Sequence, residues 1–198
     1  MELMDAINHR RSVRDYTEKP VSNEMIEVLL EAAVAAPSAV NQQPWAFAVI
    51  QGRAKLEEYS GQAKKYLFAT LPQMLELHHR SDQLSQPDYN VFHHAGTLIV
   101  IYAKPARINP NEDCCMAAQN LLLAAHGLGL GSCPIGFARP WLNQADLKIE
   151  WGVPVNYNVV MPVVVGWPAG PTPPVPRHRP EVLNWCEHPG EGPPVRKK

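Results

Sequence analysis

Three guanidinium groups and one hydroxyl lie within five residues near the start of the sequence, at Arg10, Arg11, Ser12 and Arg14. Guanidinium forks present paired donors with a positive charge, and a hydroxyl adds another donor, so this set suits a phosphate group. Acidic residues stand on both sides of the cluster, so a solvated basic turn is the competing interpretation, and the segment taken alone favours that turn.

Amide and hydroxyl side chains concentrate in a second segment, residues 37–45, with the sequence P-S-A-V-N-Q-Q-P-W. Asn and Gln carry both donors and acceptors and can pair with the edge of a planar heterocycle. Pro, Ser and Asn are also ordinary turn formers, so both interpretations stay open. A further basic pair, Arg177 and Arg179, lies where nine of the 20 prolines fall within the last 31 residues, and composition alone favours a solvated tail there.

Hydrophobic periodicity and apolar runs predict the elements that must position these groups. Helices are predicted over residues 2–10, from Ser22 or Asn23 to near Pro37, over 53–89, 113–126 and 140–150. Strands are predicted over residues 45–50, 97–102 and 159–165, with a short strand and turn over 129–136. Helices and strands therefore alternate without a strict βαβ order, which predicts an α+β fold. Gly127 is predicted to end the fourth helix as its C′ residue.

Composition excludes several partners. The 198 residues carry 18 basic and 19 acidic side chains, so the clustered positive charge that nucleic acids or acidic membranes require is missing. No apolar run is long enough to span a membrane, and the N-terminus lacks the apolar core of a signal peptide. Four cysteines without a C-x-x-C pattern are typical of a reduced chain, and we predict a cytoplasmic protein.

Histidines in two adjacent pairs, His78-His79 and His93-His94, raise the question of a metal. Glu76 and His79 match half of a di-iron carboxylate site, but the second Glu-x-x-His that such a site needs does not occur. The sequence therefore predicts no metal site.

Four segments, in their order and spacing, resemble the flavin-dependent nitroreductase family over about residues 3–183. They are Arg10-Arg11-Ser12-Val13-Arg14, Pro37-Ser38-Ala39-Val40-Asn41 with its continuation to Phe47, the glycine-rich Gly127–Gly136, and Arg177-x-Arg179-Pro180.

The resemblance implies a set of FMN contacts, named here by position in this chain. The phosphate is held by Arg10, Ser12 and Arg14 together with Arg177 and Arg179, and Arg11 lies beside them as a backbone or ribose contact. Pro37, Ser38, Ala39 and Asn41 reach the flavin from the other subunit of an obligate homodimer. Pro134, Ile135 and Gly136 lie against the isoalloxazine near N5, with backbone N–H groups as donors, and Ile135-Gly136 stands where many relatives have Glu-Gly.

The resemblance also implies a nitroreductase-like architecture and activity. Residues 1–168 form a mixed, mainly antiparallel sheet wrapped by helices, and residues 169–198 form a proline-rich arm that wraps the partner subunit. Two electrons pass by a ping-pong mechanism from NAD(P)H to a nitroaromatic, a quinone or a similar planar acceptor. The flavin carries this chemistry, so no side chain is named as catalytic. The alternatives are different flavin chemistry, either flavin cleavage or reductive dehalogenation, and a flavin-binding dimer without turnover.

Overall fold

Four antiparallel strands form the sheet in a computed structural model that describes residues 2–70, 84, 86–106 and 108–186. The strands are β1 (Trp45–Gln51), β2 (Thr97–Ala103), β3 (Gly131–Pro134) and β4 (Asn158–Gly166), in the spatial order β1-β2-β4-β3. Each apolar run that predicted a strand forms one, and the α+β class is confirmed. The one parallel contact among the described residues is an isolated bridge between Ser12 and Ser132.

Helices cover both faces of the sheet. Among the described residues they are α1 (Leu3–His9), α2 (Asn23–Val34), α3 (Arg53–Thr70), α4 (Pro110–Gly127), α5 (Arg139–Leu142) and α6 (Ala145–Glu150). Ser22 is the N-cap of α2, because its Oγ accepts a hydrogen bond from the Met25 N–H at 3.3 Å. None of the described helices has the length and apolar character needed to cross a membrane.

The central strand β2 divides the core into two clusters. All seven of its residues are buried, and alternate side chains enter opposite faces of the sheet. Leu98, Val100 and Tyr102 pack with α3, α5 and α6, whereas Ile99 and Ile101 pack with α2 and α4. A strand buried on both faces has no polar side, which explains its nearly continuous apolar sequence.

Helix α4 ends two residues later than the glycine pattern predicts. Gly127 is its last helical residue, and Gly129, with a φ of +76°, takes the left-handed C′ position. The Gly129 N–H donates to His126 O at 3.0 Å and the Leu130 N–H donates to Ala125 O at 2.8 Å, which is a Schellman motif. The prediction for Gly127 is therefore wrong: as C″ residue Leu130 is buried in the core, whereas Leu128, which would take that position if Gly127 were C′, is only partly buried.

Two helix predictions need correction. Residues 86–89 form a turn rather than helix, and the Lys64 ammonium binds the carbonyl oxygens of Gln86 and Tyr89 there. The single helix predicted over 140–150 is two helices, because Gln144 takes an extended conformation between them with a ψ of 137°. The preceding Asn143 is held by β4, since its Oδ1 accepts from the Val159 N–H at 3.0 Å. Of the helix predicted over 53–89, residues 71–83 and 85 lie outside the described residues. Glu76, His78 and His79 are among these.

The basic segment after α1 is extended and lies along the ends of β3 and β4. The Val13 N–H donates to Ser132 O at 3.0 Å, and the Thr17 N–H donates to Trp167 O at 2.8 Å. Val13 and Tyr16 are buried, and the Tyr16 hydroxyl donates to Val13 O at 2.6 Å. Burial of these two side chains turns the polar residues between and beside them towards the outside.

Two glycines allow this close approach. A Cβ added at Gly131 would lie 2.8 Å from the Val13 side chain, and one added at Gly166 would lie 2.8 Å from the Tyr16 ring. Distances this short do not occur between real side-chain carbons, so any larger residue would displace the basic segment. These glycines therefore belong to the positioning of the site described next.

Candidate functional site

A cavity of about 620 Å³ brings together residues from both ends of the chain. We call it the arginine cavity. Its lining includes five of the residues predicted to hold a phosphate or lie beside it, namely Arg10, Arg11, Ser12, Arg14 and Arg177. Four guanidinium groups therefore share one concave surface, although they stand at opposite ends of the sequence.

The arginine cavity holds more positive charge than its surroundings balance. Burial lowers the pKa of Arg10, and the neighbouring charges of Arg177 and Arg11 lower it further. Asp15 is the one acidic residue of the lining, and among the described residues it forms no ion pair with these arginines. Like charges held close together without counter-ions are unfavourable, so the arrangement is suited to an anionic ligand.

Arg11 serves the fold as well as the cavity. Its Nη1 donates to Asn8 O and to Arg10 O, both at 2.7 Å, so the guanidinium caps carbonyl groups at the end of α1. Its Nε is buried and has no partner among the described residues. This geometry fixes the backbone at Arg10 and gives Arg11 a positioning role beside the contact predicted for it.

The wall opposite the basic segment comes from the start of the proline-rich arm. The Ala169 N–H donates to Asp15 O at 3.0 Å, which lays the arm alongside its own subunit's basic segment. Residues 170–173, Val175 and Arg177 continue this wall. Arg179, which the resemblance pairs with Arg177, is exposed and lies outside the lining of the cavity. Of this pair, Arg177 alone lines the arginine cavity.

A second cavity of about 340 Å³ adjoins the first, since Arg14 lines both. We call it the turn cavity because the predicted turn residues Pro134, Ile135 and Gly136 form part of its wall. The Ile135 N–H donates to Pro162 O at 2.8 Å, and its side chain is packed in the core.

Hydrogen bonding in this turn narrows the predicted donors. Proline has no N–H, and the Ile135 N–H is used within the sheet, so neither can donate to a ligand. Gly136 opens a short 3₁₀ helix, and the first N–H groups of a helix have no acceptor within it. Of the three predicted turn residues, only Gly136 retains a backbone N–H for this role.

The amide-rich segment after α2 has a strained, well-anchored conformation. Val40, Asn41 and Gln43 have φ values of 46°, 54° and 47°, a left-handed conformation uncommon outside glycine. The Ser38 Oγ accepts from the Gln43 N–H at 3.0 Å, which closes the turn on itself. Such strain persists only where the surroundings enforce it, and it clusters at functional sites.

Asp113 of α4 supplies that enforcement. It is 2% exposed, and its two carboxylate oxygens accept from the Ala39 N–H at 3.1 Å and from the Gln42 Nε2 at 2.9 Å. The Gln42 Nε2 also donates to Ile108 O. An acidic residue near a helix N-terminus is too common a pattern to reveal this role in a sequence.

The anchored segment does not complete either cavity within its own chain. None of the predicted residues Pro37, Ser38, Ala39 and Asn41 lines the arginine cavity or the turn cavity. The structure thus assembles the two basic segments and the turn, and it leaves the amide-rich segment on another part of the surface.

A smaller cavity of about 300 Å³ lies behind the arginine cavity and shares Arg10 and Arg11 with it. His9 and His126 also line it. Burial lowers the pKa of His126, and the charges of Arg10, His9 and Arg11 lower it further. In the part of the chain that the structure describes, His, Cys, Asp and Glu form no group of three or more that could hold a metal ion.

Comparisons with known proteins agree on one family. The sequence profile of the Nitroreductase family matches residues 7–167. An Archaeoglobus fulgidus protein, provisionally named an NADH dehydrogenase/NAD(P)H nitroreductase, is 33% identical over an alignment of 172 residues that covers 84% of this chain and 86% of that protein. An iodotyrosine deiodinase from Thermotoga neapolitana is 25% identical, over 89% of this chain and 94% of its own. The crystal structure of a nitroreductase with bound FMN from Bacteroides fragilis superimposes with a TM-score of 0.75 at 27% identity, over 92% and 96% of the two chains.

Proposed function

Because this chain belongs to the nitroreductase family, we propose that it is an FMN-dependent oxidoreductase that passes two electrons from NAD(P)H to a planar acceptor. Nitroaromatic compounds and quinones are the acceptor classes, and donor and acceptor bind in turn at one site. One observation carries this proposal: four arginines that form no ion pair with a described carboxylate line one cavity, next to a second cavity at the Gly136 turn.

The arginine cavity fits the phosphate of FMN. Arg10, Arg14 and Arg177 bring positive charge, and the Ser12 hydroxyl adds a neutral donor beside them. A dianionic phosphate would relieve the repulsion between Arg10 and Arg177 that already lowers the Arg10 pKa. We place Arg179 outside this set on geometric grounds, although the resemblance includes it.

The turn cavity fits the flavin ring. Its lining is largely apolar, with Leu67, Val91 and Phe137 among it, and it meets the arginine cavity at Arg14. FMN, when bound, supplies the hydride-accepting and hydride-donating chemistry. At the phosphate end, the arginines would hold FMN by charge. At the ring end, the Gly136 N–H would donate a hydrogen bond, and the Arg14 charge would lie between the phosphate and the ring.

We propose that the active unit is a homodimer, because one chain presents the site incomplete. The amide-rich segment, held by Asp113 in a conformation that costs energy, lies outside the cavities of its own chain. In the dimer, Pro37, Ser38, Ala39 and Asn41 of the partner subunit would complete the flavin site. A segment fixed this firmly at the surface is suited to contact a partner's ligand.

The end of the arm and the edge of the sheet suggest where the subunits join. Beyond residue 177 the arm is exposed, with Leu183 89% and Trp185 52% accessible, which is unfavourable for apolar side chains in water. Strand β1 is an edge of the sheet, and a groove of about 680 Å³ runs beside it. Tyr102 lines this groove, and its buried hydroxyl has no partner among the described residues. We propose that the partner's arm covers this groove.

The cofactor claim is tested on the purified protein. We expect a yellow protein that releases FMN on denaturation and oxidises NADH or NADPH with a nitroaromatic or quinone acceptor. A colourless protein that takes up no added FMN would disprove the proposal. A yellow protein that oxidises neither nicotinamide with any acceptor would instead be a flavin-binding dimer without turnover.

Reductive dehalogenation is the second candidate, favoured by the similarity to the iodotyrosine deiodinase. The two reactions are separated by incubating the reduced holoprotein with 3-iodotyrosine and with 4-nitrobenzoate. Release of iodide without loss of the nitro compound would favour dehalogenation, whereas the reverse supports the main proposal. Loss of the flavin itself under oxygen would instead indicate flavin cleavage.

A further inference from the structure

The turn cavity is positively charged, and no predicted contact with FMN accounts for all of that charge. Two guanidinium groups, from Arg14 and Arg139, belong to its lining, and no described Asp or Glu lines it. Arg14 also lines the arginine cavity, where the phosphate proposal uses it. Arg139 has no such role, so a second cation faces this cavity without an assigned ligand.

Arg139 is weakly held by its own chain. Its one side-chain hydrogen bond among the described residues runs from Nη2 to Val159 O, and at 3.4 Å it is long. It forms no ion pair with a described carboxylate. A guanidinium has five N–H donors in a fixed fork, so most of its capacity is left for a ligand. Because Arg139 begins α5 directly after the Gly136 turn, its base is fixed at the cavity.

The remaining walls favour a flat, apolar molecule. Phe137 and Tyr89 contribute aromatic rings, and the Tyr89 ring meets the His93 ring edge to face at 6.1 Å between centroids. Pro140 and Leu67 add apolar surface. With FMN bound, these walls would receive the flavin ring first, and an acceptor that takes electrons from that ring would lie against it in the same cavity, where a few polar groups fix its orientation.

We propose that Arg139 selects acceptors that carry an anionic group, such as an aromatic carboxylate or sulfonate, by forming a forked ion pair with that group. The proposal rests on the proposed function, since it names the acceptor class of that same site. Arg139 is a specificity-determining residue here, because the electrons pass without it. The phosphates of NAD(P)H offer the same anionic chemistry, so the test must separate the acceptor from the hydride donor.

The test compares kcat/KM for 4-nitrobenzoate and its neutral methyl ester in the wild type and in the variants R139Q and R139K. Each variant is compared with the wild type on the same compound, so the intrinsic reactivity of the compounds cancels. We expect R139Q to lower kcat/KM for the carboxylate about tenfold and for the ester less than twofold. R139K keeps the positive charge but loses the forked pair of donors, so its kcat/KM for the carboxylate should lie between those of the wild type and R139Q. R53Q is the matched control, because Arg53 pairs with Glu18 at the surface, outside the turn cavity.

Two further measurements separate the possible failures. Calorimetric binding of 4-nitrobenzoate to the oxidised protein needs no turnover, and R139Q should weaken it by a similar factor. An equal effect of R139Q on acid and ester, or no effect on either, overturns the proposal. The proposed function still stands in that case if the protein contains FMN and oxidises NAD(P)H. A third outcome also overturns the proposal: R139Q raises the KM for NADH but leaves the KM for the phosphate-free donor 1-benzyl-1,4-dihydronicotinamide and for the acceptors unchanged. That outcome assigns Arg139 to the dinucleotide. Absence of FMN identifies failure of the proposed function instead.

Discussion

Removing one charge from the arginine cavity should weaken the cofactor while sparing the apoprotein. The substitution Arg177→Gln keeps a polar side chain of similar length and removes the cation that faces Arg10. Burial lowers the pKa of Arg10, and the repulsion between these two charges lowers it further. The apoprotein should therefore be at least as stable as the wild type, whereas FMN should bind more weakly.

The magnitude follows from the contact that is lost. A hydrogen bond to a charged group contributes about 1.5–3 kcal/mol, and the lower half of that range applies because Arg177 is exposed before the ligand binds. At about 1.4 kcal/mol for each factor of ten, the Kd for FMN should rise about 10- to 30-fold. At an FMN concentration 100 times the wild-type Kd, bound FMN adds roughly 2.7 kcal/mol to the free energy of unfolding. A tenfold higher Kd removes about half of this stabilisation.

The assay combines FMN titration with thermal unfolding at fixed FMN and phosphate-free buffer. For a chain of this size the lost stabilisation corresponds to a Tm lower by about 3–6 °C with FMN present, and to no decrease without it. R53Q controls for the general loss of a surface arginine. R179Q tests the geometry directly, because Arg179 lies outside the cavity lining and its removal should raise the Kd less than R177Q does. An R177Q protein with an unchanged Kd, or a larger effect from R179Q, would refute this reasoning.

Three further predictions follow from the contacts around the site. Gly131→Ala places a methyl group against Val13 and should lower both the Tm of the apoprotein and the affinity for FMN. Gly61→Ala, with open space around it inside α3, should leave the FMN affinity unchanged and raise the Tm, because Ala is favoured over Gly in a helix by about 1 kcal/mol. Asp113→Asn removes a buried carboxylate of α4 that accepts hydrogen bonds from the amide-rich segment, and it should lower the free energy of unfolding in urea by about 1–3 kcal/mol. An unchanged free energy of unfolding would argue against this anchor. His126 has a lowered pKa, so below about pH 6.5 the unfolded apoprotein binds more protons than the folded one, and the free energy of unfolding decreases as the pH falls. His126→Gln should make this decrease less steep, and an identical pH profile would contradict the assignment.

Elements with one dominant signal were predictable from the sequence. The apolar runs of β2 and β4 have no amphipathic face, so burial inside a sheet is the one arrangement that hides them. Helix α2 combines a 3.6-residue period with Ser22 as an N-cap, and it begins where those signals predict. In these places local preference and tertiary packing favour the same structure.

Predictions failed where a distant residue decides a local conformation. The break between α5 and α6 depends on a hydrogen bond from β4 to Asn143, and the turn at residues 86–89 depends on Lys64 of α3. The role of Asp113 depends on a loop 74 residues away in sequence. None of these partners is visible in a local window, so periodicity alone extends the helices too far.

The candidate site was likewise predictable only in part from the sequence. Residue types at Arg10 and Arg14 were compatible with an anion site but favoured a solvated turn, and the phosphate role came from the family resemblance. The fold adds which other groups reach this place. Burial of Val13 and Tyr16 turns the basic segment outward, and this depends on the absence of side chains at Gly131 and Gly166. The separation of Arg177 from Arg179 could not be predicted, because the conformation of a proline-rich arm depends on what it lies against.

The arginine cavity also bears on how the protein reaches its native state during synthesis. Its two walls, the segment after α1 and the segment after β4, come from opposite ends of the sequence, with the whole sheet between them. The first arginines leave the ribosome early and must wait, exposed, until the strand that precedes Arg177 has been made and paired. Contacts this distant in sequence form late in folding. FMN uptake should therefore be among the last steps of maturation, and a chain truncated before residue 170 would include every strand of the sheet but would lack the second wall against which the phosphate could be held.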